Sequence, residues 1–206
     1  MTQNTTEPFV AFHNKKATKR KYIDRLKSHA TADEIIKGRY WEKGRGCAVG
    51  CTIHSGDHQQ YETELGIPTH LAYLEDVIFE RLPNGASKEW PVRFLSAVRV
   101  GADLSLVWPK FAVWLLIDPK DGVIRFANTD RTRECTKNVA ALWQRVIDGE
   151  SIESLKDEFA AAAAADAWRA AAATAADAAA WRAAATADAD AWRAMSDKLI
   201  ELLEAA

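Results

Sequence analysis

The chain has 206 residues, 48% of them hydrophobic and 27% charged, with a formal net charge of −2. That length holds one large domain, or one domain of roughly 100–150 residues with an extension. Near-neutral charge excludes a general polyanion-coating role, three cysteines exclude a disulfide framework, and no apolar run reaches the ~18 residues of a membrane span.

The charge is uneven. Residues 1–60 carry 11 Lys/Arg against 6 Asp/Glu, and residues 150–206 carry 5 against 11. A basic head and an acidic tail are expected to attract each other, within or between chains. The opening MTQNTTEPFVAF lacks a basic stretch followed by an apolar run, so a soluble, cytoplasmic protein with reduced thiols is expected.

Residues 1–12 are polar and read as a flexible N-terminus. From Lys15 to Gly38 the pattern is helical, with Tyr22, Ile23, Leu26 and Ala30 on one side. The basic run KKATKRKYIDRLK in it reads as a solvated face; no recognition-module pattern makes nucleic acid an expected partner. KGRYWEKGRG reads as a loop and CAVGCTIHS as a short buried helix. THLAYLEDVIFERL is amphipathic, with Leu71, Leu74, Ile78 and Leu82 at helical spacing, and Asn84-Gly85 reads as a break. Glu75-Asp76 on that helix reads as solvated, or as a partner for the basic N-terminal helix. The pairs Trp90-Pro91 and Trp108-Pro109 read as helix starts that bury a Trp, because proline is accepted in a first turn. GVIRFAN reads as the one strand or extended edge, and Val139–Ile147 as a short helix.

The composition then changes. From Ala160 to Ala194, 23 of 35 residues are Ala, and neither Gly nor Pro follows Glu150. Ser151–Glu204 therefore reads as one nearly continuous helix, about 80 Å long at ~1.5 Å per residue. Asp166, Asp177 and Asp188 recur every 11 residues, whereas Trp168, Trp181 and Trp192 form no single stripe. The tract is similar in composition to the type I antifreeze helices, but Thr174 and Thr186 are 12 residues apart and out of register for an ice-binding face. A helix this long cannot bury its apolar side on one small domain. Self-association through residues 150–206 is the expected outcome.

The candidate site lies in Lys37–Pro68. Gly38, Gly44 and Gly46 free the backbone for close approach, and a helix starting near Cys47 offers N–H groups to an anion. Arg39, Lys43 and Arg45 add charge, Tyr40 and Trp41 offer rings for stacking, and His58 follows. Together Arg39, Tyr40, Trp41, Lys43, Arg45, Gly46 and His58 suit a small anionic, nucleotide-like ligand. A metal is a weaker reading of Cys47, Cys51, His54 and His58, because four donors along one helix span about 16 Å and do not converge. A third reading makes Cys47 a nucleophile with His54 or His58 as base, giving a hydrolase or transferase. A fourth packs both thiols in a core. Arg131-Thr132-Arg133 is a candidate second anion clamp.

The block GRGCAVGCT, His58, Glu62, the LGIP turn, Leu74–Asp76 and Trp90-Pro91 resembles small uncharacterised proteins of bacteria and their phages, which also carry an Ala-rich tail. The resemblance implies a prokaryotic or phage origin and no established activity. By biological analogy it implies phage counter-defence, through sequestering a signalling nucleotide.

The expected fold is all-α: a compact helical domain over 13–149, followed by one long Ala-rich helix over 150–206 that forms an oligomeric bundle. The expected function is non-enzymatic binding, with no cofactor, no catalytic residue and no membrane partner. The alternatives are the Cys47-centred enzyme and a macromolecular interaction protein acting through the Ala-rich helix.

Overall fold

The computed structural model describes the backbone of residues 10–172 and 189–206, and the side chains of 10–162 and 189–206. Helices make up 70% of the structure, which places it in the all-α class. Two compact units emerge from the contacts. One is Met1–Trp108 together with Ser196–Ala206, and the other is Pro109–Met195.

In the first unit the terminus expected to be loose turns inward at Val10. Ala11 and Phe12 are fully buried in a short 3-10 turn, Ala11–Asn14, whose N–H and C=O groups bond Ala102 and Gly101. The aromatic Phe12 supplies the apolar area that makes this ordering favourable. Helix α1 (Lys16–Thr31) buries Tyr22 and Leu26 and ends short of Gly38. Its basic run is partly spent on helix ends. Lys19 Nζ donates to the carbonyls of Ser96 and Val98 at 2.7 and 2.6 Å, and Arg25 donates to the Thr52 carbonyl at 2.7 Å. Cations there satisfy carbonyls that a helix leaves open.

The stretch read as a loop contains a small hairpin. Strands β1 (Trp41–Glu42) and β2 (Arg45–Gly46) pair antiparallel, with Trp41 opposite Gly46. Lys43 and Gly44 both take positive φ, as a tight two-residue hairpin turn demands. The short buried helix follows as α2 (Ala48–Ile53), every residue of it buried. One turn of π-helix, Tyr61–Leu65, stops at Gly66, whose φ is +62° and where a Cβ would lie 2.2 Å from the Val10 carbonyl oxygen. Glu62 then caps α3 (Thr69–Arg81), accepting from the Thr69 N–H at 2.9 Å and hydroxyl at 2.6 Å.

Asn84-Gly85 does not break the chain but opens α4 (Asn84–Ala97), because Pro83 fixes the turn before it. Pro91 consequently sits inside α4 rather than at its start, and Trp90 is buried with its indole N–H on the Glu75 carbonyl at 3.0 Å. The chain's end also belongs to this unit: Leu199 and Leu203 are fully buried, and Arg93 donates to Asp197 at 2.7 Å.

Helix α5 (Val107–Ile117) carries Pro109 in its first turn, as proline at a helix start allows. In the second unit, GVIRFAN is a 3-10 turn, Val123–Phe126, and not a strand; none of its four residues is buried, so nothing holds it against a sheet. Helix α6 (Asp130–Ile147) begins earlier than Val139, because the Thr129 hydroxyl caps it by accepting from the Thr132 N–H at 3.1 Å. Arg131 and Arg133 thus ride on its first turn, where Arg133 donates to the Ala127 carbonyl at 2.9 Å. Helix α7 (Ile152–Ala172) packs on α6, with the rings of Trp143 and Phe159 4.8 Å apart. Helix α8 (Ala189–Ala205) closes the chain, and Arg193 pairs with Asp190 at 3.1 Å. The 11-residue repeat, Trp181, Thr174 and Thr186 lie outside the described residues, as do the side chains of Asp166, Trp168 and Arg169.

Candidate functional site

Small residues bring the site together. The backbone of Arg39 and Tyr40 lies directly on α2: a Cβ at Gly50 would sit 1.4 Å from the Tyr40 carbonyl oxygen, and one at Gly46 would sit 2.0 Å from it. The Cys47 N–H donates to the carbonyls of Arg39 and Tyr40 at 2.6 and 3.2 Å. The Gly38 N–H donates to both carboxylate oxygens of Glu80, at 2.9 and 3.2 Å. Of the N–H groups expected to cradle an anion, those of Gly38 and Cys47 are therefore taken by Glu80 and by the protein's own carbonyls.

What this docking creates is a cavity of about 260 Å³ lined by Gly38, Arg39, Tyr40, Asp76 and Glu80. Tyr40 is 53% exposed, its ring edge-on to His58 with centroids 5.5 Å apart. His58 in turn stacks on Tyr73 at 4.1 Å. Only 3% of His58 is exposed. Its Nδ1 donates to the Gly56 carbonyl at 3.2 Å, while Nε2 faces Asp76 Oδ2 at 3.5 Å without making a hydrogen bond. Asp76 Oδ1 is likewise buried and makes no hydrogen bond of ordinary geometry among the described residues, although the Cys47 thiol lies against the same carboxylate. The charge of Asp76 is the main cause that lifts the Tyr40 phenol above its ordinary range.

Behind Asp76 lies Glu75, fully buried, accepting from the Tyr61 hydroxyl at 2.6 Å. Burial, with the Asp76 charge adding to it, pushes the Glu75 carboxyl up to about 8. Neither carboxylate is the solvated charge that the helix pattern suggests. Glu75 falls four residues after Leu71 and three before Ile78, inside the apolar stripe, and that placement is the signal that points to it.

The other predicted residues separate into two places. Trp41 stacks on His54 at 4.2 Å, and His54 Nε2 lies 2.9 Å from Nε2 of His29, whose Nδ1 pairs with Glu34 at 2.6 Å. Burial, with Arg25 and His29 beside it, lowers the His54 imidazole below its ordinary value. Arg39 ion-pairs with Glu42 at the cavity rim, while Lys43 and Arg45 are exposed on the hairpin. Cys47 and Cys51 are core residues, so the metal candidates do not converge. Among the described residues no group of three His, Cys, Asp or Glu side chains is placed to hold a metal ion.

Burial is also the main cause that raises both thiols, and the Asp76 charge adds to it at Cys47. A nucleophilic cysteine needs the opposite direction. Iodoacetamide at neutral pH is accordingly expected to modify half-buried Cys135 and to spare Cys47 and Cys51. Intact mass of the undenatured protein checks this: one adduct is the expected result, and a second or third would show that a core thiol is reactive.

A second cavity, about 330 Å³, has an apolar wall of Val113, Ile117, Ala140 and Ala141 and is also lined by Lys137, Gln144 and Arg145. Among the described residues no helix is long and apolar enough to cross a membrane. No known protein family, no curated protein and no solved structure matches this chain.

Proposed function

We propose that this protein binds a small, ring-bearing, nucleotide-like ligand without turning it over, in the cavity under Tyr40. The observation that carries the reading is the meeting, in one concave site, of the exposed Tyr40 ring with the carboxylates of Asp76 and Glu80, where Asp76 Oδ1 is buried without a hydrogen bond and His58 stands behind it. Ligand sites combine these features: an apolar or aromatic wall, and a few converging polar atoms that fix orientation. A buried polar atom with no partner is costly, and a ligand that supplies one recovers that cost. Arg39, Lys43 and Arg45, exposed at the rim and on the hairpin, are the groups that would meet phosphate.

The raised Cys47 thiol weighs against the cysteine hydrolase or transferase. Binding without turnover is what sequestering a signalling nucleotide requires. Self-association through residues 150–206 belongs to the same proposal. It is supported by exposed alanines on α7 such as Ala160 and Ala161, although the last turns of α8 are spent inside the first unit.

Native mass spectrometry of freshly purified protein tests both parts, and Tyr40→Ala localises the site. A releasable mass of a few hundred daltons per chain, on a multimer, is the expected result. Stacking on one aromatic is worth about 1–3 kcal/mol, so Tyr40→Ala should weaken mononucleotide affinity by roughly 5- to 150-fold. A bare protein that also shows no NMR shift change with millimolar mononucleotides would overturn the reading.

A further inference from the structure

The cavity's polar groups are mostly acceptors. Asp76 and Glu80 are four residues apart on α3, so both project from one helix face, where like charges repel. Glu80 is fixed by the Gly38 N–H, and Asp76 is only 13% exposed, held between His58 and the cavity. The one cation in the lining, Arg39, is already paired with Glu42. Nearly buried His58 adds an unpartnered Nε2 aimed at Asp76. A ligand complementary to this floor brings hydrogen-bond donors, and the Tyr40 ring favours a flat one.

Building on the binding reading above, we propose that the cavity recognises a planar N–C–N unit with two adjacent N–H donors. Such a unit is the N1–H and N2–H edge of guanine, or a guanidinium group. Asp76 and Glu80 accept the donors while the flat unit lies against Tyr40. Adenine is disfavoured: its corresponding edge sets a ring-nitrogen lone pair beside the amino donor, and that lone pair would face a carboxylate. A free phosphate is disfavoured for the same electrostatic reason, so any phosphate of the ligand points outward to Arg39.

The test is calorimetric titration of the full chain with guanosine, inosine and adenosine 5′-monophosphates and with agmatine. The same titrations are repeated on Asp76→Asn and Glu80→Gln. Guanosine monophosphate or agmatine should bind at least tenfold more tightly than adenosine monophosphate, and each substitution should remove at least tenfold of that preference. Binding of guanosine monophosphate alone assigns the base, and of agmatine alone the guanidinium. With guanine, inosine monophosphate, which lacks the N2 amine, should be weaker. Asp76→Asn should then gain affinity for xanthosine 5′-monophosphate, whose edge offers one donor and one acceptor to an amide, a gain that loss of folding cannot imitate.

Equal binding of adenosine and guanosine monophosphates, unchanged by either substitution but lost in Tyr40→Ala, would overturn the donor-edge assignment and leave the binding site standing. Absence of binding by every one of these probes to the wild-type chain, with no Tyr40-linked shift change, would overturn the binding reading with it.

Discussion

Gly50→Ala is expected to destabilise the first unit by about 3 kcal/mol or more, although alanine is the better helix former by about 1 kcal/mol. Gly50 lies in α2 with ordinary helical geometry, so backbone strain is not the reason. The reason is space. The new Cβ would stand 1.4 Å from the Tyr40 carbonyl oxygen and 2.4 Å from its carbon, and both belong to the backbone, with no flexible tip to swing aside. The Tyr40 peptide must move by more than an ångström. That movement breaks the hydrogen bonds from the Cys47 N–H to Arg39 and Tyr40, each worth about 1 kcal/mol, and dislodges the wall of the cavity. The control is Gly85→Ala, in the first turn of α4, where a Cβ meets nothing within 4 Å. There the helix preference acts unopposed and a gain of about 0.5–1 kcal/mol is expected. Urea denaturation of the two variants should move the midpoint in opposite directions. A Gly50→Ala midpoint at or above wild type would mean that the hairpin does not lie on α2 as described.

This contact also explains which parts of the molecule were legible in the sequence. Periodicity located α1 and α3, and the run of small residues located the buried α2, because each of these signals is local. The hairpin was hidden: its turn residues are Lys43-Gly44, not the Asn-Gly or Asp-Gly pair that announces such a turn. The start of α4 was hidden because Asn-Gly announces a turn, whereas here Pro83 ahead of it directs the chain into a helix. In the site, Arg39, Tyr40 and His58 were legible as chemistry-bearing groups, and the cavity gathers Arg39 and Tyr40, with His58 behind. Trp41 and His54 form a separate stack instead. Asp76 and Glu80 were not legible, since an acidic residue on an amphipathic helix ordinarily faces water. Only the return of the Gly38–Tyr40 backbone across α3 and α2 turns that face into a cavity wall, and a contact spanning some forty residues leaves no periodic trace.

The pH dependence of stability is expected to reveal the buried Glu75. Burial, reinforced by the Asp76 charge and opposed by the Tyr61 hydrogen bond, moves its carboxyl from the ordinary 4.5 to about 8. Between those values the folded chain holds a proton that the unfolded chain has released. Unfolding then releases a proton, so stability falls as pH rises. The contribution is complete below the unfolded value near 4.5 and is lost as the pH rises through 8. One proton gives a slope of at most about 1.4 kcal/mol per pH unit, or on the order of 3 kcal/mol from pH 5 to 8. Glu75→Gln separates this from every other titration. The amide oxygen can still accept from Tyr61, but the amide cannot ionise, and its NH₂ takes a position where Oε1 already lacks a partner. Leaving those donors unpaired costs about 1–3 kcal/mol at any pH. The variant should therefore be less stable than wild type at pH 5 and more stable at pH 8, with the two curves crossing between. Denaturant midpoints measured at half-unit intervals decide it. Curves that run parallel would mean that Glu75 is ionised in the folded protein, and that burial of this carboxylate is compensated by a cation or donor reaching its Oε1.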